Sequence, residues 1–170
     1  LCSCRSPLGA SDGMEKYQFS EIDLNVSYKI PIEALDVSVG VTEYTYPGAD
    51  TSSDREASLS IRRSLAGIEV GLDCYYGLDG AVQEDLYFEL SANYAHESGR
   101  EFVLEVGSTL GYRTSKQTPD GFPAYTLNAK VSRGIWGACL TYIGRLDEDV
   151  LSDTDYNAQV LGTISVALEF

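Results

Sequence analysis

The feature that most constrains this chain is the alternation of apolar and polar residues, which continues almost without interruption from Phe19 onward. In "SEIDLNVSYKI", every second residue from Ile22 to Ile30 is apolar and the residues between them are polar. Successive side chains of a β-strand point to opposite faces of the sheet, so this period of two is typical of strands with one apolar and one polar face. The same pattern recurs in "GIEVGLDCYYG", "EDLYFELSANYAHE" and "AYTLNAKVSR". The pattern predicts an all-β fold without helices.

We predict about nine strands, arranged as an antiparallel up-and-down sheet. The predicted segments are 19–30, 35–46, 56–65, 67–77, 84–96, 101–114, 124–134, 136–146 and 158–170. Strands in soluble sheets are most often about five or six residues long. Most of the predicted strands are longer, and they match the roughly 9–11 residues that a tilted strand needs to cross a lipid bilayer.

The connections between these strands alternate between short and long. The short ones are "PIEA", the turn around Ala66, "ESGR" and the turn at Gly134 and Ile135. The long ones are "PGADTSSDR", "LDGAVQ", "SKQTPDGFP" and "LDEDVLSDTDYN". In an up-and-down sheet, such alternation places tight turns at one rim and long loops at the other. Bacterial outer-membrane barrels have this arrangement, with short periplasmic turns and longer outer loops.

Two kinds of barrel fit a period of two: a soluble lipocalin-like barrel with an apolar interior, and a transmembrane barrel with an apolar exterior. The polar face carries small residues and charges of both signs, which favours a hydrated lumen and therefore the transmembrane β-barrel. The candidate lumen-lining residues are Asp23, Lys29, Glu69, Asp73, Glu89, Glu105, Arg113 and Lys130.

Tyrosines, of which the chain has 12, cluster towards the ends of the predicted strands. A ring with a hydroxyl group suits the girdle where hydrocarbon meets lipid head groups. The tyrosines predicted for this girdle are Tyr28, Tyr44, Tyr46, Tyr75, Tyr76, Tyr94, Tyr112, Tyr125 and Tyr142.

The two ends of the chain set expectations about closure of the barrel. If the long loops face outward, the last strand runs towards the periplasm and ends at Phe170, an aromatic residue of the kind recognised by the outer-membrane assembly machinery. The first predicted strand also runs inward, so an even-stranded barrel with both termini inside needs a further strand before Phe19. Residues 1–17 are expected to be a leader or part of an outer loop, and residues 18–170 the barrel domain. Either the first strands are missing from this sequence or the strand count is off by one. We favour the first alternative, with 10–12 strands in the complete barrel.

Two segments carry a resemblance to a known family: "FSEIDLNVSYKI" and "VGVTEYTYPGAD", within which "YTYPGAD" (Tyr44 to Asp50) is the most specific piece. In these segments and in its aromatic C-terminus, the chain resembles the TorF-like outer-membrane proteins of bacteria, also called the Gcw_chp family. The likeness covers about residues 19–170. It implies an outer-membrane barrel with passage of small solutes, and it implies no catalytic residue.

Charge and motifs exclude several classes of function. The net charge of -14 argues against nucleic-acid binding, which needs a basic surface. His96 is the single histidine, and neither Ser91 nor Ser108 has a histidine at a suitable depth, so we expect no enzyme and no catalytic residue. The "CSC" segment has no second pair of ligands at zinc-site spacing, and "LDEDVLSDTD" lacks the spacing and glycine of an EF-hand. We expect no metal site and no cofactor.

The sequence therefore predicts a β-barrel protein in the outer membrane of a Gram-negative bacterium, with membrane lipid and lipopolysaccharide as its surroundings. The first hypothesis for its function is a narrow pore or transporter for small solutes, whose selectivity is set by lumen charges. Two alternatives stay open: a non-conducting barrel with a structural or surface-interaction role, and a soluble lipocalin-like ligand-binding barrel.

Overall fold

The computed structural model describes residues 2–5, 21–47, 52–99, 102–116, 118–150 and 159–166. Within these residues the chain forms ten β-strands and one single-turn 3₁₀ helix, Gly80–Val82. The strands are β1 Cys2–Arg5, β2 Glu21–Ile32, β3 Leu35–Thr45, β4 Asp54–Leu65, β5 Ile68–Asp79, β6 Leu86–Ser98, β7 Phe102–Thr114, β8 Ala124–Arg133, β9 Trp136–Arg145 and β10 Gln159–Val166.

All ten strands form one antiparallel sheet in which each strand pairs with its neighbours in sequence, from β1 at one edge to β10 at the other. The predicted antiparallel up-and-down all-β architecture is confirmed. Within the described residues no pairing joins β1 to β10, so the sheet is open there. A helix with the length and apolarity needed to cross a bilayer is not found in the described part of the chain.

Strand β1 was not among the nine predicted strands. Its sequence, "CSCR", is too short to show an alternating pattern, yet it pairs antiparallel with β2, with Cys2 opposite Leu24 and Arg5 opposite Glu21. It provides a strand on the N-terminal side of Phe19, where the sequence pattern alone gave none. The predicted last strand is described as Gln159–Val166, and Phe170 lies outside the described residues.

The predicted alternation of turns and loops is confirmed, and it gives the sheet two different rims. At the short-turn rim lie the connections β2–β3, β4–β5, β6–β7 and β8–β9. The β4–β5 turn consists of Ala66 and Gly67, which both have a positive φ (52° and 85°), as the two-residue hairpin turn that suits twisted strands requires. At the other end, the loop rim, the longer connections β3–β4, β5–β6, β7–β8 and β9–β10 begin and end.

The strand register keeps apolar residues on one face of the sheet, here called the apolar face, and polar residues on the other, the polar face. Opposite pairs such as Leu72 with Leu90 and Val131 with Ala138 lie on the apolar face. Among the described residues, the apolar side chains classed as buried are Val37 and Val150 alone. The buried polar side chains are Asp54, Asp73, Asp85 and Ser91. The sheet therefore exposes its apolar side and shelters its polar side, which is the reverse of an ordinary sheet in water.

Tyr87 packs over Gly111 on the polar face, so the packing of β6 against β7 depends on the absence of a side chain at Gly111. A Cβ atom at Gly111 would lie 2.8 Å from Cζ of the Tyr87 ring, much closer than real contacts allow. We expect Gly111→Ala to lower the free energy of unfolding by about 1–3 kcal/mol, because the ring must leave its position. Equilibrium unfolding in urea measures this change.

Gly162→Ala on β10 is the matched control for Gly111→Ala, since nothing lies within 4 Å of a Cβ atom built at that position. Both substitutions replace a strand glycine by alanine, and they differ in the space available. Equal losses of stability in the two variants would contradict the packing role of Tyr87 over Gly111.

Candidate functional site

The polar face of the sheet is the candidate functional site, because it holds the sheltered charged groups of the described residues. All eight predicted lumen-lining residues lie on this face by strand register. The structure divides them into a central cluster on β4–β6, a cavity near the short-turn rim, an ion pair near the loop rim, and two residues on β2 at the edge of the sheet.

Asp73 on β5 is the centre of the first group and is only 4% exposed. Its carboxylate accepts a hydrogen bond from Ser60 Oγ on β4, and it pairs with Arg62, whose Nη2 lies 3.0 Å from Asp73 Oδ2. Glu89 of β6 stands directly opposite Asp73 in the register. A single guanidinium group thus compensates the more deeply buried of two facing carboxylates.

A cavity of about 360 Å³ opens on the polar face near the short-turn rim. Glu105 and Lys130 meet there, with Lys130 Nζ 2.5 Å from Glu105 Oε2, and Glu69 lies in the same lining. The whole lining is Ser64, Gly67, Glu69, Asn93, Tyr94, Ala95, Glu105, Asn128, Lys130 and Cys139. The structure therefore brings three of the predicted residues together in one polar, solvent-connected space that reaches from β4 to β9.

Near the loop rim, ion pairs tie neighbouring loops together. Arg113 on β7 pairs with Asp85, and Lys116 in the β7–β8 loop pairs with Glu84 of the β5–β6 loop. The Glu84 carboxylate, which accepts a hydrogen bond from the Lys116 ammonium group, raises the pKa of Lys116 above its ordinary value. The Lys116–Glu84 ion pair therefore links the β5–β6 and β7–β8 loops.

Asp54, the first residue of β4, holds the 3₁₀ turn at the same rim. Its carboxylate accepts a hydrogen bond from the Tyr46 hydroxyl at 2.7 Å and another from the backbone N–H of Ala81 at 2.6 Å. Because Asp54 is buried, these bonds fix the loop end of the β3–β4 hairpin against the β5–β6 loop.

The remaining two predicted residues lie on β2, near the edge of the sheet. Lys29 pairs with Asp36 on β3, and both side chains are well exposed. Asp23 stands opposite Tyr44 in the register, near the loop rim. These two residues share the polar face with the central cluster, but strands β3 and β4 separate them from Asp73.

Arg62, Asp54, Asp85 and Ser91 belong to the polar face and were not among the predicted site residues. A signal for Arg62 existed in "SLSIRRSL": Leu59 and Ile61 mark the apolar face, so the alternation places Arg62 on the polar face and Arg63 on the apolar one. Asp54 and Asp85 flank strands rather than continue an alternating run, so period two did not reveal them.

The charges of the polar face do not balance. The cations Lys29, Arg62, Arg113 and Lys130 each pair with a carboxylate. Further carboxylates on this face, among them Glu56, Glu69 and Glu89, form no ion pair with a basic side chain of the described residues. Glu56 instead accepts a hydrogen bond from Tyr44 at 2.9 Å. The polar face of β4–β6 is therefore net negative.

Tyr44, Tyr46 and Tyr75, which were predicted for an interfacial girdle, have their partners on the polar face instead, and the Tyr46 hydroxyl bonds to Asp54. Tyr44 bonds to Glu56 there, and Tyr75 packs against Tyr87 with ring centroids 6.1 Å apart. The apolar face carries Tyr28, Tyr76, Tyr94, Tyr112, Tyr125 and Tyr142. For Tyr75 the cause is visible in the sequence: Tyr75 and Tyr76 are adjacent, so only one of them can face the apolar side.

Comparisons of the chain with protein-family models, with curated proteins and with solved structures found no match. The resemblance to the TorF-like family therefore stays a prediction, and the function is argued from the geometry of the sheet alone.

Proposed function

We propose that the chain is a bacterial outer-membrane β-barrel protein that forms a narrow pore for small solutes. The observation that carries this proposal is the inverted burial of the sheet. Large apolar side chains along its middle are exposed, for example Leu90 and Leu140 at 57% each, whereas Asp73 and Ser91 on the opposite face are buried. Lipid-facing apolar side chains and a polar interior are the defining arrangement of a transmembrane barrel.

The stagger of the strands supports closure into a barrel. One row of directly opposite residues crosses six strands through Arg63, Val70, Ala92, Ser108, Leu127 and Tyr142. Arg63 lies two residues from Leu65, the short-turn end of β4, whereas Tyr142 lies six residues from Trp136, the short-turn end of β9. At the loop rim, Arg63 lies nine residues from Asp54, the first residue of β4. Tyr142 lies three residues from Arg145, the last residue of β9.

The two rims thus give staggers of four and six residues over five strand-to-strand steps, which average one residue per strand. With a rise of about 3.3 Å per residue and about 4.8 Å between strands, this stagger tilts the strands by about 35°. Closed barrels have strand tilts of about 35–45°. The stagger is therefore of the size that a closed barrel requires, which supports the proposal that β1 and β10 meet.

The number of strands supports a narrow pore. A barrel of about eight strands is filled by its side chains, and porins with an open channel have about 16–18. A ten-stranded barrel lies near the lower limit, and on the polar face the Ser91 hydroxyl lies against Gly71 and the Tyr87 ring lies across Gly111. We therefore propose a lumen that is constricted at the Arg62–Asp73 cluster and wider at the cavity beside Glu69 and Lys130.

The non-conducting barrel is the second candidate, and the same central cluster is the observation that favours it. Side chains that lie across glycines occupy lumen space. The soluble lipocalin-like barrel has less support, because such a barrel buries its apolar face around a ligand, and here the apolar face is the exposed one.

The test is reconstitution of the protein into phospholipid vesicles and planar bilayers. We expect a folded form that needs detergent or lipid, and that migrates differently from the boiled form on a denaturing gel. In planar bilayers with a KCl gradient we expect small, cation-selective conductance, because the polar face is net negative. Glu69→Gln and Glu89→Gln should each reduce the cation preference, whereas Glu43→Gln, on the apolar face, should leave it unchanged.

The outcomes separate the three candidates. A folded, membrane-inserted protein without channel events would contradict the pore and favour the non-conducting barrel. A protein that folds and stays monomeric in buffer without detergent would contradict the membrane barrel itself. Anion selectivity would contradict the role given to the carboxylates of the polar face.

A further inference from the structure

A groove of about 260 Å³ lies on the apolar face where strands β7, β8, β9 and β10 approach the short-turn rim. Two neighbouring rows of the register form it. The first contains Phe102, Arg133 and Trp136, and the second contains Leu104, Val131, Ala138 and Ile164. The small Ala138 side chain stands between the larger Val131 and Ile164 side chains, so the surface of the second row has a depression at Ala138. Ile164 is 81% exposed and borders this depression.

Arg133 places a cation at the rim end of the groove. Its guanidinium carbon lies 5.0 Å from the centre of the Phe102 ring, a geometry in which the aromatic ring attracts the cation. No ion pair joins Arg133 to a carboxylate within the described part of the chain. The side chain is exposed, so the guanidinium group can still donate hydrogen bonds to an anion that approaches from the apolar side.

Charges on the apolar face differ between the two rims. Near the short-turn rim, the charged residues on the described strands of this face are Arg63 and Arg133, and there is no carboxylate among them. Near the loop rim, Arg55 is already paired with Glu43, with Arg55 Nη2 3.4 Å from Glu43 Oε1. An anion that lies against the apolar face therefore finds uncompensated basic groups only at the short-turn rim of the described sheet.

We propose that this groove is a binding site for a glycerophospholipid. One acyl chain lies in the depression over Ala138, between Val131 and Ile164. The phosphate accepts bidentate hydrogen bonds from the Arg133 guanidinium, and the indole of Trp136 lies at the level of the head group. The proposal rests on the proposed membrane barrel, in which the short-turn rim faces the periplasmic leaflet. Phosphorylated glycolipid at the loop rim is the weaker alternative, because Arg55 is neutralised there.

Native mass spectrometry of the detergent-solubilised protein with dimyristoylphosphatidylglycerol as the probe tests this site. We expect one lipid to stay bound to the wild-type protein after most of the detergent is removed. Arg133→Gln should weaken its affinity about tenfold, as loss of a charge-assisted hydrogen bond predicts. Ala138→Phe should weaken it as well, because it fills the groove. Arg55→Gln, on the same face at the other rim, should bind like the wild type.

Equal lipid retention by all four proteins would mean a non-specific annulus and overturn the proposal. Preference for lipid A over phosphatidylglycerol, or a detergent-resistant dimer that releases the lipid, would overturn it in favour of another occupant. The gel shift of the unheated protein distinguishes failure of the proposed lipid site from failure of the proposed membrane barrel. A protein that shifts and inserts but binds no lipid contradicts the groove alone, whereas a protein that neither shifts nor inserts contradicts the membrane barrel.

Discussion

Leu140→Arg is expected to destabilise the protein in a phospholipid bilayer by about 2–4 kcal/mol, the cost of an arginine at the bilayer midplane on the lipid face of a barrel. Leu140 lies in the middle of β9, on the apolar face, and is 57% exposed. In water, an arginine at so exposed a position would cost little, because surface substitutions usually change stability by less than about 0.5 kcal/mol. The size of the stability loss in Leu140→Arg therefore depends on whether lipid or water covers the apolar face.

Leu146→Arg is the matched control for Leu140→Arg. Leu146 follows the last residue of β9 at the loop rim and is 50% exposed, so the chemical change is the same and the expected depth is different. We expect a cost of about 0–1 kcal/mol there. Urea unfolding from vesicles measures both, with the fluorescence of Trp136, the single tryptophan, as the signal. If the two variants lose the same small amount of stability, the apolar face does not contact lipid.

Arg62→Ala is expected to cost about 2–3 kcal/mol of stability, because it removes the cation from a buried carboxylate. Breaking a buried pair usually costs about 3–5 kcal/mol. Arg62 keeps 38% of its side chain exposed, and for that reason we expect less. Without Arg62, Asp73 keeps the hydroxyl of Ser60 as a donor and still faces Glu89 across the strand pair. Unfolding in urea at neutral pH measures the loss.

Two further variants test the cause of this loss. Arg62→Ala combined with Asp73→Asn should recover part of the stability, because the facing carboxylates are then no longer both charged. Arg55→Ala removes an arginine from an exposed pair with Glu43 and should cost about 0–1 kcal/mol. A loss in Arg62→Ala no greater than in Arg55→Ala, or a double variant less stable than Arg62→Ala, would contradict the proposed role of the pair.

Much of the fold could be predicted because the alternation of residues records which face each side chain occupies. Strand β3 was predicted as residues 35–46 and extends over Leu35–Thr45. The signal failed where a strand is short or begins with charged residues. Strand β1 has four residues, and β4 begins with Asp54 and Arg55, so it was predicted to start at residue 56. These residues are in strands because they pair with a neighbouring strand, and the sequence of a single segment does not reveal such pairing.

The candidate site was predicted as a set of residues on one face, but its grouping was not. Which side chains meet depends on the register between strands, and the register is set by turn geometry and by the stagger of each hairpin against the next. Nothing within "GLDCYYG" indicates that Asp73 stands between Ser60 and Glu89. The glycines gave a partial signal: Gly71 and Gly111 are positions on the polar face where Ser91 and Tyr87 lie too close to leave room for a side chain.

The sequential pairing of the strands has a consequence for the order in which the protein folds. Each strand from β1 to β10 contacts the strands next to it in the chain, so every hairpin can form from residues that are close in sequence. In the proposed barrel, the contact between β1 and β10 would join segments about 150 residues apart. In an unfolded chain, closing a flexible loop of that length costs an entropy of about 4.5 kcal/mol. We therefore expect the hairpins to form first and the seam between β1 and β10 to close last.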